Sequence, residues 1–359
     1  MRFQDVRTVE DVVQLVTTDL EELTRENRIT ARPLGDLLVL NYTPRATHLA
    51  EWLPVERFCR GLIVNRVTGE IVARPFDKFF NWGEGGRTTN ADIVRISEKM
   101  DGSEGILFRY DGTMRVSTRG SMTSWQAEWA TQFLRERCDV SSIPDAYTPI
   151  VEIICPENRI VVDYGQRQEL TLLAIRNRFT GEYVDIEEVR EIAHRCGFGR
   201  PQVWRPTTVD ALVAKLSTLS ANEEGFVAEF SDGQRFKFKG EAYRSIARVV
   251  QHFSFDHAVE CVAQGTVGQV RAVVPAAIRG KFEEWVEEIL QNLSMSTARI
   301  GELWQRAPRS VRKDFALFVI REDRALAPVL FARLDGQDER AALFKALFGY
   351  RMPMNKEEE

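Results

Sequence analysis

Five short stretches hold the residues most able to do chemistry: Lys99-Met100-Asp101-Gly102, Arg119-Gly120, Glu152, Glu223-Glu224-Gly225 and Lys237-Phe238-Lys239. A lysine amine is a nucleophile only when neutral. With an ordinary pKa near 10.4, roughly one copy in 2,500 is neutral at pH 7. A working lysine therefore needs an environment that disfavours its charge, and nearby cations supply one. Lys237 and Lys239 alternate with Phe236 and Phe238, so on a strand both ammonium groups share one face while the phenylalanines pack behind. The expectation is that this pair lowers the pKa of Lys99, while Asp101, if it pairs with Lys99, raises it. Gly102 lets the backbone approach a ligand where a side chain would block it. Glu152 and Glu224 sit among apolar residues (Val151, Ile153, Ile154; Phe226, Val227), where a carboxylate needs a partner such as Mg²⁺ or a ribose hydroxyl. Arg60, Arg74 and Lys78 are placed to clamp phosphates, with Phe79 or Phe80 to stack on a base. Each feature has an ordinary alternative: a turn lysine, a solvated strand face, structural ion pairs, core phenylalanines.

The elements that must position these residues are legible in outline. Val9, Val12, Val13, Val16, Leu20 and Leu23 recur at helical spacing, and Thr8 with Asp11 reads as a capping pair. From Leu37 to Phe238 short β-rich runs alternate with turns: 37–41, 61–65, 70–74, 105–110, 113–118, 148–154, 160–163, 170–176 and 225–230. Val67-Thr68-Gly69, Tyr110-Asp111-Gly112 and Ser231-Asp232-Gly233 are hairpin turns. Helices are expected near 124–137, 186–196 and 209–219. The pattern is α+β, of mainly antiparallel strands with helices at the edges. Beyond Gly240 strands nearly vanish. Phe282, Trp285, Val286, Ile289, Leu290 and Leu293 mark one face of an amphipathic helix, and helical segments continue to Phe348 with Gly349 as a cap. This predicts two domains, 1–245 and a small all-helical 246–359, with the boundary within 240–265.

Composition narrows the function. At 44% apolar residues the 359-residue chain can build real cores, and no stretch approaches a membrane span. No apolar signal region opens it, so a cytoplasmic location is expected, with no membrane partner. Five scattered cysteines without a CxxC pair argue against disulfides or zinc, and His252 and His257 lack the i,i+4 spacing of a helical metal pair. A net charge of −5 means any polyanion site is local. The Lys356-Glu357-Glu358-Glu359 end reads as a solvated tail.

In order and spacing the charged stretches resemble the ATP-dependent covalent nucleotidyltransferases, and among them the phage-type RNA ligase 1 family. Lys99 to Gly102 resembles motif I, Ser117-Thr118-Arg119-Gly120 motif Ia, Ile150-Val151-Glu152-Ile153 motif III, Glu224 to Val227 motif IV, and Phe236 to Lys239 motif V. The stretches 60–63, 74–81, 156–161 and 180–183 resemble the RNA ligase 1 branch in particular. The resemblance covers residues 35–245 and implies an antiparallel-sheet, ATP-grasp-like ligase domain. It implies that Lys99 is adenylylated by ATP, that AMP passes to an RNA 5′-phosphate, and that a 3′-hydroxyl displaces it. By the same carry-over Lys237 and Lys239 act on the α-phosphate, Glu224 and Glu152 bind Mg²⁺ (or Mn²⁺), and Glu152 also holds the nucleoside. Arg60 and Lys78 hold the outgoing pyrophosphate. Phe79, Phe80, Asp101, Gly102 and Arg119 complete the nucleotide site. Implied partners are RNA with 5′-phosphate and 3′-hydroxyl ends, including nicked tRNA, and an end-healing kinase/phosphatase.

Two positions depart from the family pattern. Glu104 follows Gly102-Ser103 where an apolar residue is usual, and Arg119 stands where lysine is an alternative. A DNA ligase or capping-type enzyme would append a β-barrel after motif V, whereas helices follow here. An inactive RNA-binding homologue would be expected to lose the charged residues, all of which are present. In the helical region Arg306, Arg309, Arg312, Lys313, Arg321 and Arg324 form a basic cluster that could hold a structured RNA, interleaved with Asp314, Glu322 and Asp323.

Overall fold

The computed structural model describes residues 1–274 and 276–352. The chain divides into two compact units, Met1–Arg244 and the remainder from Ser245. Thirteen strands belong to the first. In chain order they are β1 (Ile29–Leu34), β2 (Leu37–Tyr42), β3 (Arg60–Asn65), β4 (Ile71–Ala73), β5 (Phe80–Asn81), β6 (Ile93–Glu98), β7 (Ser103–Tyr110), β8 (Thr113–Thr118), β9 (Tyr147–Ile154), β10 (Glu169–Asn177), β11 (Val203–Trp204), β12 (Gly225–Phe230) and β13 (Arg235–Lys239). They form three sheets of order β1-β2-β3-β4, β10-β9-β7-β8 and β11-β6-β12-β13-β5. All pairings are antiparallel except β13 with β5.

Strand β9 is buried along nearly its whole length because Ile150, Val151, Ile153 and Ile154 fill both faces of a central strand. Its sheet is covered by helices Trp125–Arg137 and Ile186–Cys196, which bring Ala130, Leu134, Val189, Ile192 and Cys196 against Leu107, Val116, Val151, Ile153 and Leu172. Strands β12 and β13 show the alternation that their sequence requires. Phe226, Ala228 and Phe230 pack with Phe236 and Phe238 under helix Val209–Leu216, leaving Lys237 and Lys239 on the opposite face. Trp82 stacks on Phe230 and Phe238 and closes that core.

Three expectations need correction. The first helix does not run through Leu23. Helix Val9–Thr18 keeps the Thr8/Asp11 capping box, but Asp19 turns its carboxylate to the Glu22 amide at 3.0 Å and starts a separate helix, Leu20–Thr24. Residues 160–163 form no strand, because the Val161 and Val162 amides both donate to the Asp101 carboxylate, each at 2.8 Å, instead of to a sheet. Leu290 does not belong to the buried face of its helix; it is exposed, while Phe282, Val286 and Ile289 are buried.

The unit from Ser245 is helical among its described residues. Its longest helix, Ala276–Arg306, packs Phe282, Val286 and Ile289 with Ala258, Val259, Val262 and Phe344. Further along, Ile300 and Leu303 pack with Phe315, Val319, Val329 and Leu330. Gly349, at φ 69°, ends helix Glu339–Phe348. Half of the basic cluster is paired: Arg312 with Asp335, and Arg306 and Arg321 both with Glu322. The predicted tail 356–359 lies outside the described residues. All five cysteines are free thiols. Among the described residues no helix is long and apolar enough to cross a membrane.

Candidate active site

Lys99 follows β6 directly, and its amide donates to the Gly225 carbonyl at 3.0 Å. Pairing of β6 with β12, and of β12 with β13, brings three motifs together: Phe226 faces Glu98, and Gly225 faces Lys239. Gly225 permits this. Its φ is 137°, and a Cβ there would lie 2.0 Å from the Phe238 carbonyl oxygen. Glu224, just before β12 and buried, then bridges two amines. Its Oε2 meets Lys99 Nζ at 2.8 Å and its Oε1 meets Lys239 Nζ at 3.0 Å.

This bridge overturns the expected electrostatics of Lys99. Burial alone would lower its pKa, but Glu224, then Glu152 and Asp101, outweigh burial and hold it above the usual lysine value. In this cluster the depressed amine beside Lys99 is instead Lys237, pushed well below its ordinary value by burial and by the charges of Arg60, Lys99, Lys78 and Lys239. Its Nζ lies 4.6 Å from the centre of the Phe79 ring. As found, Lys99 is held as an ammonium.

On the other side of motif I, Gly102 approaches β9 closely. A Cβ would sit 2.6 Å from the Ile153 carbonyl oxygen, and the Gly102 amide donates to Glu152 Oε1 at 3.0 Å. Glu152 is buried and faces Glu104 directly across the β7–β9 ladder. Burial, with Glu104 and Glu224 adding to it against the pull of Lys99, raises the Glu152 carboxyl to about 8. Glu104, the departure from the family pattern, is taken up by Arg60. The guanidinium Nη1 lies 2.5 Å from Glu104 Oε2, both side chains are 8% exposed, and Arg60 Nε has no partner among the described residues.

A cavity of about 580 Å³ opens at Lys99. Lys99, Gly102, Arg119, Glu152, Arg60, Lys237 and Phe79 line it, with Glu104, Phe76, Leu173 and Val227. Arg119 donates to the Tyr42 hydroxyl at 2.9 Å. Other expected site residues stand elsewhere. Lys78 and Phe80 line an adjacent cavity, with Phe79 on both walls. Lys78 has its Nζ 4.5 Å from the centres of both the Trp52 and Phe80 rings, and burial with the charges of Arg60, Arg119 and Arg87 lowers its pKa to about 8 despite Glu84. Glu224 and Lys239 reach the first cavity only through Lys99. Asp101 is off its wall. The Asp101 carboxylate accepts from Val161, Val162 and the Tyr243 hydroxyl (2.7 Å), and the Asp101 amide donates to the Tyr164 hydroxyl (2.9 Å). Asp101 therefore positions the Lys99 loop rather than facing a ligand. Tyr164 and Tyr243 were not visible as site residues, since a lone tyrosine carries no spacing signal.

Among the described residues, no three His, Cys, Asp or Glu side chains gather into a metal cage. The carboxyls of Glu152, Glu104 and Glu224 nonetheless gather beside the cavity, Glu104 held by Arg60 and Glu224 by the two lysines. One or two protein carboxylates, with phosphate oxygens and water completing the shell, is the usual mode of Mg²⁺ and fits this donor set.

The sheets, with a cavity lined by lysine and arginine, define an α+β protein. The sequence profile of the RNA ligase family matches residues 58–243, just over half of the chain, and the chain belongs to the phage-type RNA ligase family. It is 30% identical over 212 residues to a candidate RNA ligase of Thermovibrio ammonificans, covering 56% of this chain and 54% of that protein. It is 29% identical over 237 residues to a candidate bifunctional polynucleotide kinase/RNA ligase of Autographa californica nuclear polyhedrosis virus, covering 58% of this chain and 33% of the viral protein. RNA ligase 1 of bacteriophage TS2126 is 26% identical over 152 residues, covering 37% of each. The chain thus matches about half, or less, of the length of these relatives.

Proposed function

We propose that this chain is an ATP-dependent RNA ligase with a covalent-nucleotidyltransferase domain of ATP-grasp-like fold, sealing 5′-phosphate to 3′-hydroxyl RNA ends. The observation that carries the reading is the Lys99–Glu224–Lys239 bridge beside a cavity that also holds Lys237, Arg60 and Arg119, in a chain of the RNA ligase family.

In the first step Lys99 Nζ attacks the α-phosphorus of ATP. A P–N bond forms, the bond to pyrophosphate breaks, and Nζ gives up a proton. Withdrawal of Glu224 from Lys99 removes the contact that stabilises the ammonium, and the surrounding cations then favour the free amine. Lys237, whose ammonium form the phosphate restores, and Lys239 flank the α-phosphate and offset its developing charge. Arg60 and Lys78 take the outgoing pyrophosphate, and Phe79 packs on the nucleotide. Glu224 and Glu152 would hold a divalent cation, Mg²⁺ or Mn²⁺, which neutralises phosphate charge when bound. In the second step an oxygen of the RNA 5′-phosphate attacks the same phosphorus and Nζ leaves, regaining its proton. In the third the 3′-hydroxyl attacks the RNA 5′-phosphorus, loses its proton and expels AMP. The ends required are those left by a healing kinase and phosphatase, which suits repair of cut RNA such as nicked tRNA in the cytoplasm.

Incubation with α-labelled ATP and Mg²⁺ tests the first step. Label should stay on the denatured protein and vanish in Lys99→Ala. Equal labelling of that variant would remove the proposal.

A further inference from the structure

The second cavity is as large as the first, about 580 Å³, and shares Phe76, Phe79 and Arg235 with it. Five cations line it. Two are neutralised: Arg176 grips Asp77 at 2.9 Å, and Arg235 meets Glu229 at 3.1 Å. Arg57, Lys78 and Arg87 make no ion pair among the described residues. They are held close together. The Lys78 amide donates to the Arg57 carbonyl at 2.8 Å, and the Lys78 and Arg87 cations lie 4.5 and 4.2 Å from the centre of the same Phe80 ring. The nearby acids are engaged elsewhere. Glu84 accepts from the Asn81 amide and side chain, and Asp232 accepts from Thr89 and Gln234. Two cations on one ring, with the Glu84 carboxylate nearby already shared with Asn81, leave an excess of positive charge that an anion relieves.

We infer that the outer part of this cavity holds the phosphate backbone of the RNA strand whose 5′ end is being activated, with Arg87 and Arg57 as successive phosphate contacts beyond Lys78. The inference rests on the ligase reading above and names where its RNA lies. Geometry favours a polymer over a small anion. Lys78 and Arg87 are half-buried over Phe80, next in the chain to Phe79, the partition shared with the Lys99 cavity, whereas Arg57 is exposed. The cations thus run from the reaction side out to solvent, as a strand must. ATP phosphates have Lys237, Arg60 and Arg119 within the first cavity, and Lys78 beside the shared partition for the outgoing pyrophosphate. Recognition through phosphates alone would be insensitive to sequence.

The test uses the full chain, with Arg57→Ala, Arg87→Ala and the double variant. Anisotropy of a short 5′-phosphorylated RNA is followed across a salt series, without ATP. Each lost phosphate contact should lower the salt slope by roughly 0.7, which is about a fivefold loss of affinity near 0.1 M salt. Transfer of label from pre-adenylylated protein to subsaturating RNA should slow in parallel, while labelling by ATP keeps its wild-type rate. Arg87→Lys, which keeps the charge, should retain the wild-type slope and guards against a folding defect in the alanine variants. Slower labelling by ATP with unchanged RNA binding would overturn the inference and assign the cavity to ATP phosphates. An unchanged salt slope in the double variant would also overturn it. Absence of any label on the wild-type protein would defeat the ligase reading alone, because the anisotropy measurement does not depend on ATP.

Discussion

Glu104→Leu restores the apolar residue usual in the family and isolates the most unusual feature of the site. In the wild type the Glu104 carboxylate sits 2.5 Å from the Arg60 guanidinium, with both side chains 8% exposed. Two unit charges ~4 Å apart attract by about 4 kcal/mol at an effective dielectric near 20. Glu104 therefore occupies the cation proposed to receive the departing pyrophosphate. Removing one partner of a buried pair costs about 3–5 kcal/mol, and each kcal/mol moves the Tm of a domain this size by roughly 2–4 °C. The variant without ligand should melt on the order of 10 °C lower. Pyrophosphate or ATP should then recover more Tm in the variant than in the wild type, because an anion replaces the missing carboxylate. If about 1.4 kcal/mol of the released attraction goes to phosphate, ATP binds about tenfold tighter. Glu104→Gln, which keeps an acceptor for Arg60, should fall between the two proteins. The assays are thermal melting with and without pyrophosphate and titration with ATP. Equal ligand-induced shifts in variant and wild type, or weaker ATP binding in the variant, would refute competition between Glu104 and phosphate for Arg60.

Three further outcomes follow from the geometry. Glu224→Ala frees Lys99 from its carboxylate but removes a proposed ligand of the divalent cation, so covalent labelling by ATP should fall at least on the order of 100-fold while the protein stays folded; wild-type labelling would place the essential carboxylate elsewhere. The Glu152 carboxyl titrates near 8, above its ordinary 4.5. Its contribution to stability is therefore full below about 4.5 and is lost as pH rises through about 8, with a slope of at most about 1.4 kcal/mol per pH unit. Glu152→Gln should flatten denaturant-derived stability over that window, and an unchanged slope would contradict the raised carboxyl. Gly225→Ala places a Cβ 2.0 Å from the Phe238 carbonyl oxygen at a φ of 137°. It should cost about 3 kcal/mol or more by melting, and a near-neutral result would show that β12 and β13 do not meet as closely as described.

The parts of the molecule legible in sequence were those with a local cause. Alternation of phenylalanine and lysine placed Lys237 and Lys239 on one face of β13, and helix Ile186–Cys196 forms where expected, with Val189, Ile192, Ala193 and Cys196 on its buried side. What depended on long-range contact was not legible. The order of the motifs brought Lys99 and Lys237 to one cavity, but only the β6–β12–β13 register shows that Glu224 holds Lys99 as an ammonium. Asp101 has the look of a ligand contact, yet its oxygens are used by Val161, Val162 and Tyr243, far along the chain. The same contact explains why 160–163, rich in β-branched residues, is not a strand. Asp19 breaks a periodic helix because its side chain caps the next one, a choice that apolar spacing does not encode. The charge on Glu104 was readable, but its match with Arg60 was not, since 44 residues separate them.

The central claim is that AMP passes through Lys99 to RNA, and a single-turnover chase tests it most directly. Protein labelled with α-labelled ATP is freed of nucleotide and mixed with RNA bearing 5′-phosphate and 3′-hydroxyl ends, or with DNA of the same sequence. The account predicts that label leaves the protein, appears on the RNA 5′ end and is released as AMP as the strands join, with DNA accepting it far more slowly. Label that stays on the protein in the presence of RNA, or moves equally well to DNA, would contradict it.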